Sequence, residues 1–467
     1  MQKATLGVIG LGAMGRNLVL NAERHGYAVA AFNRSAERTR TLVRDRPDGL
    51  IVPAYGLEEL VAALERPRKV LLMVKAGEAT DAVLTGLWPL LEPGDAVVDG
   101  GNARDEDTDR RIEAAEAAGV HYLGAGISGG AHGALEGPSI MIGGSPEGYA
   151  IVGPILEAIA ADGPEGRCCA WLGPGSAGHY VKTVHNGIEY AIMQGLAEAY
   201  DLMRRVMGLP IPEIADVFGA WNRGALGGYL IEITERILER SDPETGEPLI
   251  ESIVDAAEQK GTGKWSSQSA LELGSPAPTI AAAVFARILS SLKDERVAAE
   301  PRLAGPPERS GDLAIDEVHG ATLLTALGAF AQGFRQLRDA SNERGYRLDL
   351  AEVARVWTAG CVIRAKLLGP IRSALLESPD LPFLILAEPF RSTWGERQAG
   401  LRRTVVYAHR NGIPVPAMSS ALETFDAYRT GRLPANLIQA QRDYFGAHTY
   451  QRVDREGSFH TEWESQT

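Results

Sequence analysis

Lys182, His185, Asn186 and Glu189 stand at i, i+3, i+4 and i+7 within the stretch KTVHNGIEY. Wound at about 3.6 residues per turn, the four share one face of a helix. Val181, Val184, Ile188, Ala191 and Ile192 fall on the other face. An amine and a carboxyl two turns apart, about 10 Å in rise, can flank a small substrate as base and acid. The lysine must then be neutral near pH 7, against an ordinary pKa of about 10.4, and the glutamate must be protonated when it acts. Burial and a neighbouring cation could depress the lysine; the glutamate needs the opposite push. The same spacing also describes an amphipathic surface helix with a solvated polar side. The rest of the chain has to decide between the two.

The elements that would position such a face begin at the N-terminus. In TLGVIGLGAMGRNLVLNAERHGYAVAAFNRS, Leu6 to Ile9 reads as a short apolar strand and Gly10, Gly12 and Gly15 form GxGxxG. A helix is predicted from about Met14 to His25, stopped by Gly26, and a second strand over Val29 to Phe32. The glycines would give a tight turn, close approach of backbone to a pyrophosphate, and close helix-to-strand packing, with the helix N-terminus facing the phosphates. An NAD site ordinarily carries a carboxylate at the end of the second strand. Here that place is taken by Asn33, Arg34 and Ser35, a set suited to a 2′-phosphate and so to NADP. VLLMVKAG (70–77) and AVVDGGN (96–102) read as further buried parallel strands, and Lys75 and Asn102 follow their carboxyl ends, where such sheets bind ligands.

A glycine-dense segment, GAGISGGAHGALEGPSIMIGG, then reads as a loop whose Ser128-Gly129-Gly130 turn can present N–H groups and a hydroxyl to an anion. From about Ser176 the periodicity is helical. AIMQGLAEAYDLMRR echoes AFAQGFRQLRDASNE, with Gln194 and Gln332 in register, which suggests a duplicated helical unit. KGTGKW (260–265) fails as a nucleotide-binding P-loop because Trp265 stands where Ser or Thr is needed, yet Lys260 and Thr262 could hold a phosphate. Arg287, among apolar residues on a probable helix, reads as a snorkelling surface arginine. The aromatic-rich end, QAQRDYFGAHTYQRVD, suits docking on another surface, including a second copy of the chain.

The fold expected is therefore an α/β N-terminal Rossmann-like dinucleotide-binding domain over 1–176, a large all-α domain over 177–434 and a C-terminal tail over 435–467. A net charge of -13 argues against nucleic acid or an anionic membrane as partner, and it requires a locally basic pocket for any anionic substrate. Cys168, Cys169 and Cys361 have neither zinc-site nor disulfide spacing. The start, MQKATLGVIG, lacks the pattern of a secretory signal, and no apolar run is long enough to span a bilayer, so a cytoplasmic setting is expected.

GLGAMGRNL, FNRS, MVKAG, DGGN, GISGG…GPSIMIGG, HYVKTVHNGIEY, KGTGKW, SSLKDER and QRDYFGAHTY occur in one order along essentially the whole chain. In this the sequence resembles the decarboxylating 6-phosphogluconate dehydrogenases, of the β-hydroxyacid dehydrogenase superfamily. The resemblance implies oxidation of 6-phospho-D-gluconate by NADP to ribulose 5-phosphate, CO2 and NADPH in the pentose phosphate pathway, without a metal. It implies Lys182 as base and Glu189 as acid. It implies that Asn102, Ser128, Gly129, Gly130, His185 and Asn186 hold the sugar-acid end, and that Tyr190, Lys260, Thr262 and Arg287 surround the phosphate. Arg442 and His448 match tail residues that reach the partner's site in the family's homodimer. Gly10, Leu11, Gly12, Ala13, Met14, Gly15, Asn33, Arg34, Ser35, Val74, Lys75, Ala76 and Asn102 match cofactor contacts. The chain departs from the family after Ser128-Gly129-Gly130, where Ala131 and His132 replace two glutamates. Two other readings stay open. A dehydrogenase of a smaller, unphosphorylated β-hydroxy acid would have no use for a phosphate clamp, and a non-catalytic NADP-binding protein would not need Lys182 and Glu189.

Overall fold

A computed structural model describes residues 3–258, 261–306 and 312–464. The chain forms two compact units, one running through Ala421 and one from Leu422 onward. Within the first unit the strands are β1 (Leu6–Ile9), β2 (Val29–Phe32), β3 (Ile51–Ala54), β4 (Lys69–Leu72), β5 (Ala96–Asp99), β6 (His121–Ser128), β7 (Ser139–Gly143), a two-residue hairpin of β8 (Asp162–Gly163) and β9 (Gly166–Arg167), and β10 (Cys169–Gly173). Eight of them make one sheet in the order β10-β7-β6-β5-β4-β1-β2-β3. Its β3-β2-β1-β4-β5-β6 portion is the parallel dinucleotide-binding order, with the crevice where the order reverses, between β1 and β4. Both faces are covered, so successive residues feed two cores: Leu6, Val8, Leu71 and Val98 enter one, and Ile9, Val70, Leu72 and Val97 the other.

The glycine-dense segment is not a loop. It forms β6, a helix over Gly130–Glu136 and β7, with β7 antiparallel to β6. The reason lies in what packs on it. The central helix Ala177–Asp201 lies against these strands so closely that a Cβ on Gly178 would run into the Gly124 carbonyl, and one on Gly126 into the Lys182 side chain. The strand glycines thus admit a helix backbone onto a sheet, while Gly129 (φ 111°), Gly130 (φ 65°), Gly137 (φ 139°) and Gly144 (φ 126°) take the positive φ of the connecting turns.

The other sides of the central helix are covered by helices Thr262–Glu272, Pro278–Ser290 and Ile315–Arg344. The echoed sequences are the central helix and Ile315–Arg344, which pack on each other. Gly195 faces Thr325, and Gly333 faces Ile188 so tightly that no side chain fits between them. The equivalent glycine of each half therefore lets the other helix approach. The second unit carries helix Ala435–Gly446 and a turn built on the buried carboxylate of Asp443, which accepts from the Thr449 and Thr461 amides and from Trp463 Nε1. That hub fastens the aromatic end to the helix, so it is not a frayed terminus. Among the described residues no helix is long and apolar enough to cross a membrane.

Candidate functional site

At the carboxyl end of β1 the three glycines do different things. Gly10 has φ 101°, and a Cβ there would lie 2.5 Å from the Met73 carbonyl oxygen, just past β4. Gly15 packs directly on the Gly10 carbonyl. A Cβ on Gly12 would meet nothing, and Gly12 is the N-cap of helix Ala13–Arg24, so the free amides of that helix face open space. Leu11 is buried and its amide donates to Asn33 Oδ1 at 2.9 Å, so Asn33 shapes the loop from within. Arg34 is exposed and makes no ion pair among the described residues. Open space at a helix N-terminus, with an unpaired cation where a carboxylate would exclude a 2′-phosphate, fits NADP. Val74 lies beside both Gly10 and Gly101, which brings the ends of β1, β4 and β5 together. Lys75 and Asn102 are exposed there, with no side-chain hydrogen bond among the described residues.

The polar face of the central helix is buried, which removes the surface-helix alternative: Lys182 is 6% exposed, His185 0% and Asn186 7%. Lys182 Nζ lies 3.3 Å from His185 Nδ1, and Glu189 Oε2 lies 3.8 Å from the same nitrogen. His185 Nδ1 is 3.0 Å from Asn186 Oδ1 and Nε2 is 3.2 Å from Ser128 Oγ. Burial pushes the Lys182 amine below its ordinary range, opposed by the nearby Glu189 carboxyl and Cys361. Burial pushes Glu189 up, opposed by Lys182 and Arg287. His185 is held well below its usual value, by burial first and then by Lys182, and so stays neutral. Among the described residues no neighbouring cation depresses Lys182, and burial is the cause of its shift. An amine pushed toward its neutral form, near a carboxyl pushed toward its protonated form, is shifted in the two directions that a base–acid pair requires.

The next turn leads to the phosphate end. The Arg287 guanidinium stacks 3.4 Å over the Tyr190 ring, and Gly263, in the first turn of helix Thr262–Glu272, abuts the same ring. Thr262 begins that helix after Gly261 (φ 101°). Lys260 lies outside the described residues. Arg442 and His448 belong to the second compact unit, where Arg442 donates to Gln439 and the His448 ring meets Phe445.

Some of the site was not legible in local motifs. Trp357 stands edge-on to the His185 ring at 5.6 Å, the Val362 amide points to Ser128 Oγ at 3.4 Å, and the Gly360 carbonyl accepts from the Ser139 amide. These residues close the Ser128 turn from more than two hundred positions away in sequence. Their one sequence signal is that VARVWTAGCVIR echoes IADVFGAWNRG as a continuation of the internal repeat, which carries no chemistry of its own.

Comparison with known proteins agrees with this geometry. Residues 5–173 match the NAD binding domain of 6-phosphogluconate dehydrogenase, and residues 178–463 match the C-terminal domain of 6-phosphogluconate dehydrogenase. A decarboxylating 6-phosphogluconate dehydrogenase of Synechococcus elongatus is 52% identical over 98% of both chains. The NADP(+)-dependent, decarboxylating enzyme of Bacillus subtilis is 49% identical over 99% of this chain and 100% of its own. The Plasmodium falciparum 6-phosphogluconate dehydrogenase, solved in apo form and in complex with NADP+ and with 6-phosphogluconate, superposes with a TM-score of 0.94 at 40% identity, covering 98% of this chain and 100% of that one. With its sheet order, its buried lysine–glutamate pair and both of its halves matched along nearly their full length, the chain belongs to the 6-phosphogluconate dehydrogenase family.

Proposed function

We propose that the chain catalyses the oxidative decarboxylation of 6-phospho-D-gluconate to ribulose 5-phosphate and CO2, with NADP as oxidant. The observation that carries this reading is the Lys182–Glu189 pair on one helix, the amine buried and pushed down, the carboxyl partly buried and pushed up. NADP, held by the Gly10–Gly15 turn, Arg34, Ser35 and the Val74–Ala76 and Asn102 turns, supplies the acceptor for the hydride that leaves C3. Lys182 Nζ takes the proton of the 3-hydroxyl, which becomes a ketone. The bond to the C1 carboxylate then breaks in a β-keto acid, its electron pair passing toward the new carbonyl, whose oxygen is reprotonated by Lys182. Glu189 delivers its proton to the carbon that has lost CO2 while the enol hydroxyl returns its proton to Lys182, and the enol becomes the product ketone. Ser128, Gly129, Gly130, His185 and Asn186 hold the sugar-acid end. Tyr190, Thr262, Arg287 and Lys260 hold the phosphate.

The same reading includes a cytoplasmic homodimer in which Arg442 and His448 of each tail complete the partner's phosphate pocket, with domain limits at 176 and 434. It is supported by large apolar side chains exposed on both units, such as Phe285 and Leu289 on the first and Leu437, Ile438 and Phe445 on the second.

The test is the appearance of reduced nicotinamide, followed by absorbance, with 6-phosphogluconate and each nicotinamide cofactor in parallel. Turnover with NADP is expected. Turnover on 3-hydroxyisobutyrate but not on 6-phosphogluconate overturns the substrate, and NADP binding without turnover on either overturns catalysis. Arg34→Ala is expected to raise KM for NADP about tenfold or more, the loss of one charge-assisted phosphate contact, and to leave KM for NAD unchanged. Equal changes for both cofactors would remove the 2′-phosphate role.

A further inference from the structure

The two turns at the cofactor crevice are joined from behind by one buried arginine. Arg111, on helix Asp105–Glu116, has a side chain only 2% exposed. Its Nη2 donates to the Gly77 carbonyl at 3.2 Å, Nε to Asp81 Oδ1 at 2.9 Å, and Nη1 reaches Asp99 Oδ2 at 3.4 Å. Gly77 ends the turn that carries Lys75 and Ala76. Asp99, fully buried at the end of β5, accepts the Gly101 amide at 3.0 Å and so shapes the turn that carries Asn102. The other Asp99 oxygen also accepts the Tyr122 hydroxyl at 2.7 Å. The Asp99 carbonyl lies 2.9 Å from His179 Nε2, and His179 is one turn before Lys182 on the central helix. His179 Nδ1 in turn meets Thr108 Oγ1 at 2.7 Å, on the same helix as Arg111.

A buried ion pair is a poor way to gain stability, because well-packed apolar residues usually serve as well. Its value here is directional. A guanidinium offers donors in a fixed planar fork, and this one spends them on Gly77 and Asp99, at two different turns, and on Asp81, in the helix that follows the first turn. We infer that Arg111 is a positioning residue: it locks the Gly77 and Asp99 turns to each other and thereby keeps Lys75, Asn102 and Lys182 in register for reaction. The inference rests on the proposed reaction for its kinetic consequence but not for the lock itself. The Arg111 guanidinium also holds the Asp81 carboxyl below its ordinary range, consistent with a standing contact.

Arg111→Lys keeps the charge and loses the fork, since a single ammonium on a shorter side chain cannot meet all three acceptors in one plane. Misplacement of reacting groups by an ångström costs about a hundredfold, so a fall in kcat of about ten- to a hundredfold is expected, with KM for 6-phosphogluconate little changed. The isotope effect with substrate deuterated at C3 is expected to rise, because hydride transfer becomes slower relative to other steps. Amide hydrogen exchange at residues 74–77 and 100–102 is expected to quicken in the full chain, a readout independent of turnover. Arg110→Ala serves as control, since Arg110 is exposed and touches Asp81 but neither turn; it should keep kcat and exchange near wild type. If Arg111→Lys does not fold, Asp81→Asn frees the outer arm of the fork and should quicken exchange at the same turns. Unchanged exchange in a folded Arg111→Lys protein overturns the lock. Quickened exchange with kcat and isotope effect unchanged overturns the positioning role, and a wild-type chain without turnover overturns the proposed reaction instead.

Discussion

Replacing Lys182 with methionine is expected to lower kcat by about a thousandfold, mid-range for loss of a positioned general base, while NADP affinity stays within about twofold. Methionine matches the length and shape of the lysine stem, so packing against Gly126 is kept and only the amine is lost. The amine is depressed by burial, so between its folded and its unfolded titration the unfolded chain binds a proton that the folded chain does not. Stability then rises with pH across that window, and below it Lys182 is a net cost to the fold, about 1.4 kcal/mol for each pH unit by which its titration is depressed. Lys182→Met should accordingly unfold at the same temperature as wild type or higher. The wild-type acid limb of kcat/KM, where Lys182 takes up a proton and ceases to be a base, should disappear from the residual activity. A variant that turns over within tenfold of wild type would remove Lys182 from the role.

The loss of activity with a gain in stability is what separates a functional buried charge from a structural one, and it bears on how much of this protein its sequence discloses. The strand–glycine–helix order, the absence of a carboxylate at Asn33, Arg34 and Ser35, and the polar face of residues 182–189 were all readable, because each depends on residues near one another in sequence. The glycine-dense segment was misread as a loop for the converse reason. Gly124, Gly126 and Gly143 are strand residues whose missing side chains answer to the His179 ring, the stem of Lys182 and the backbone of Gly178, and nothing in their own neighbourhood announces that helix. Burial of the polar face was also undecidable locally, since a solvated and a covered face have the same periodicity. What covers it is a sheet on one side, three helices around the rest, and the Trp357–Val362 segment over the Ser128 turn. The cause of the lysine's depression followed from that covering. Burial and a neighbouring cation were the two causes expected; among the described residues the structure supplies burial, with Glu189 pulling the other way.

Glu189→Gln isolates the other half of the chemistry. Glutamine fills the same volume and cannot deliver a proton as an acid, so steady-state kcat is expected to fall by about a hundredfold or more. The oxidation that precedes the protonation does not need the carboxyl. Rapid mixing of enzyme with excess NADP and 6-phosphogluconate should therefore give a first turnover of NADPH at nearly the wild-type rate, followed by a slow phase as the enol waits for a proton from water. Lys182→Met should show no such burst, and the contrast between the two variants orders the steps. The pH dependence follows from the direction of the Glu189 shift. Burial raises this carboxyl, so the acid form persists to higher pH than usual and is lost as pH rises through the folded value; the alkaline limb of kcat belongs to it and should be absent from the glutamine variant. Because the amine and the carboxyl interact, the limbs of the wild-type profile report the pair, and only the loss of one limb in each variant assigns them. The folded state also holds this proton where the unfolded chain has released it, so near neutral pH the glutamate costs stability, and Glu189→Gln should melt no lower than wild type. A glutamine variant that lacks the burst but retains the alkaline limb would move the acid to another group, the first candidate being His185, whose Nδ1 lies between the two side chains.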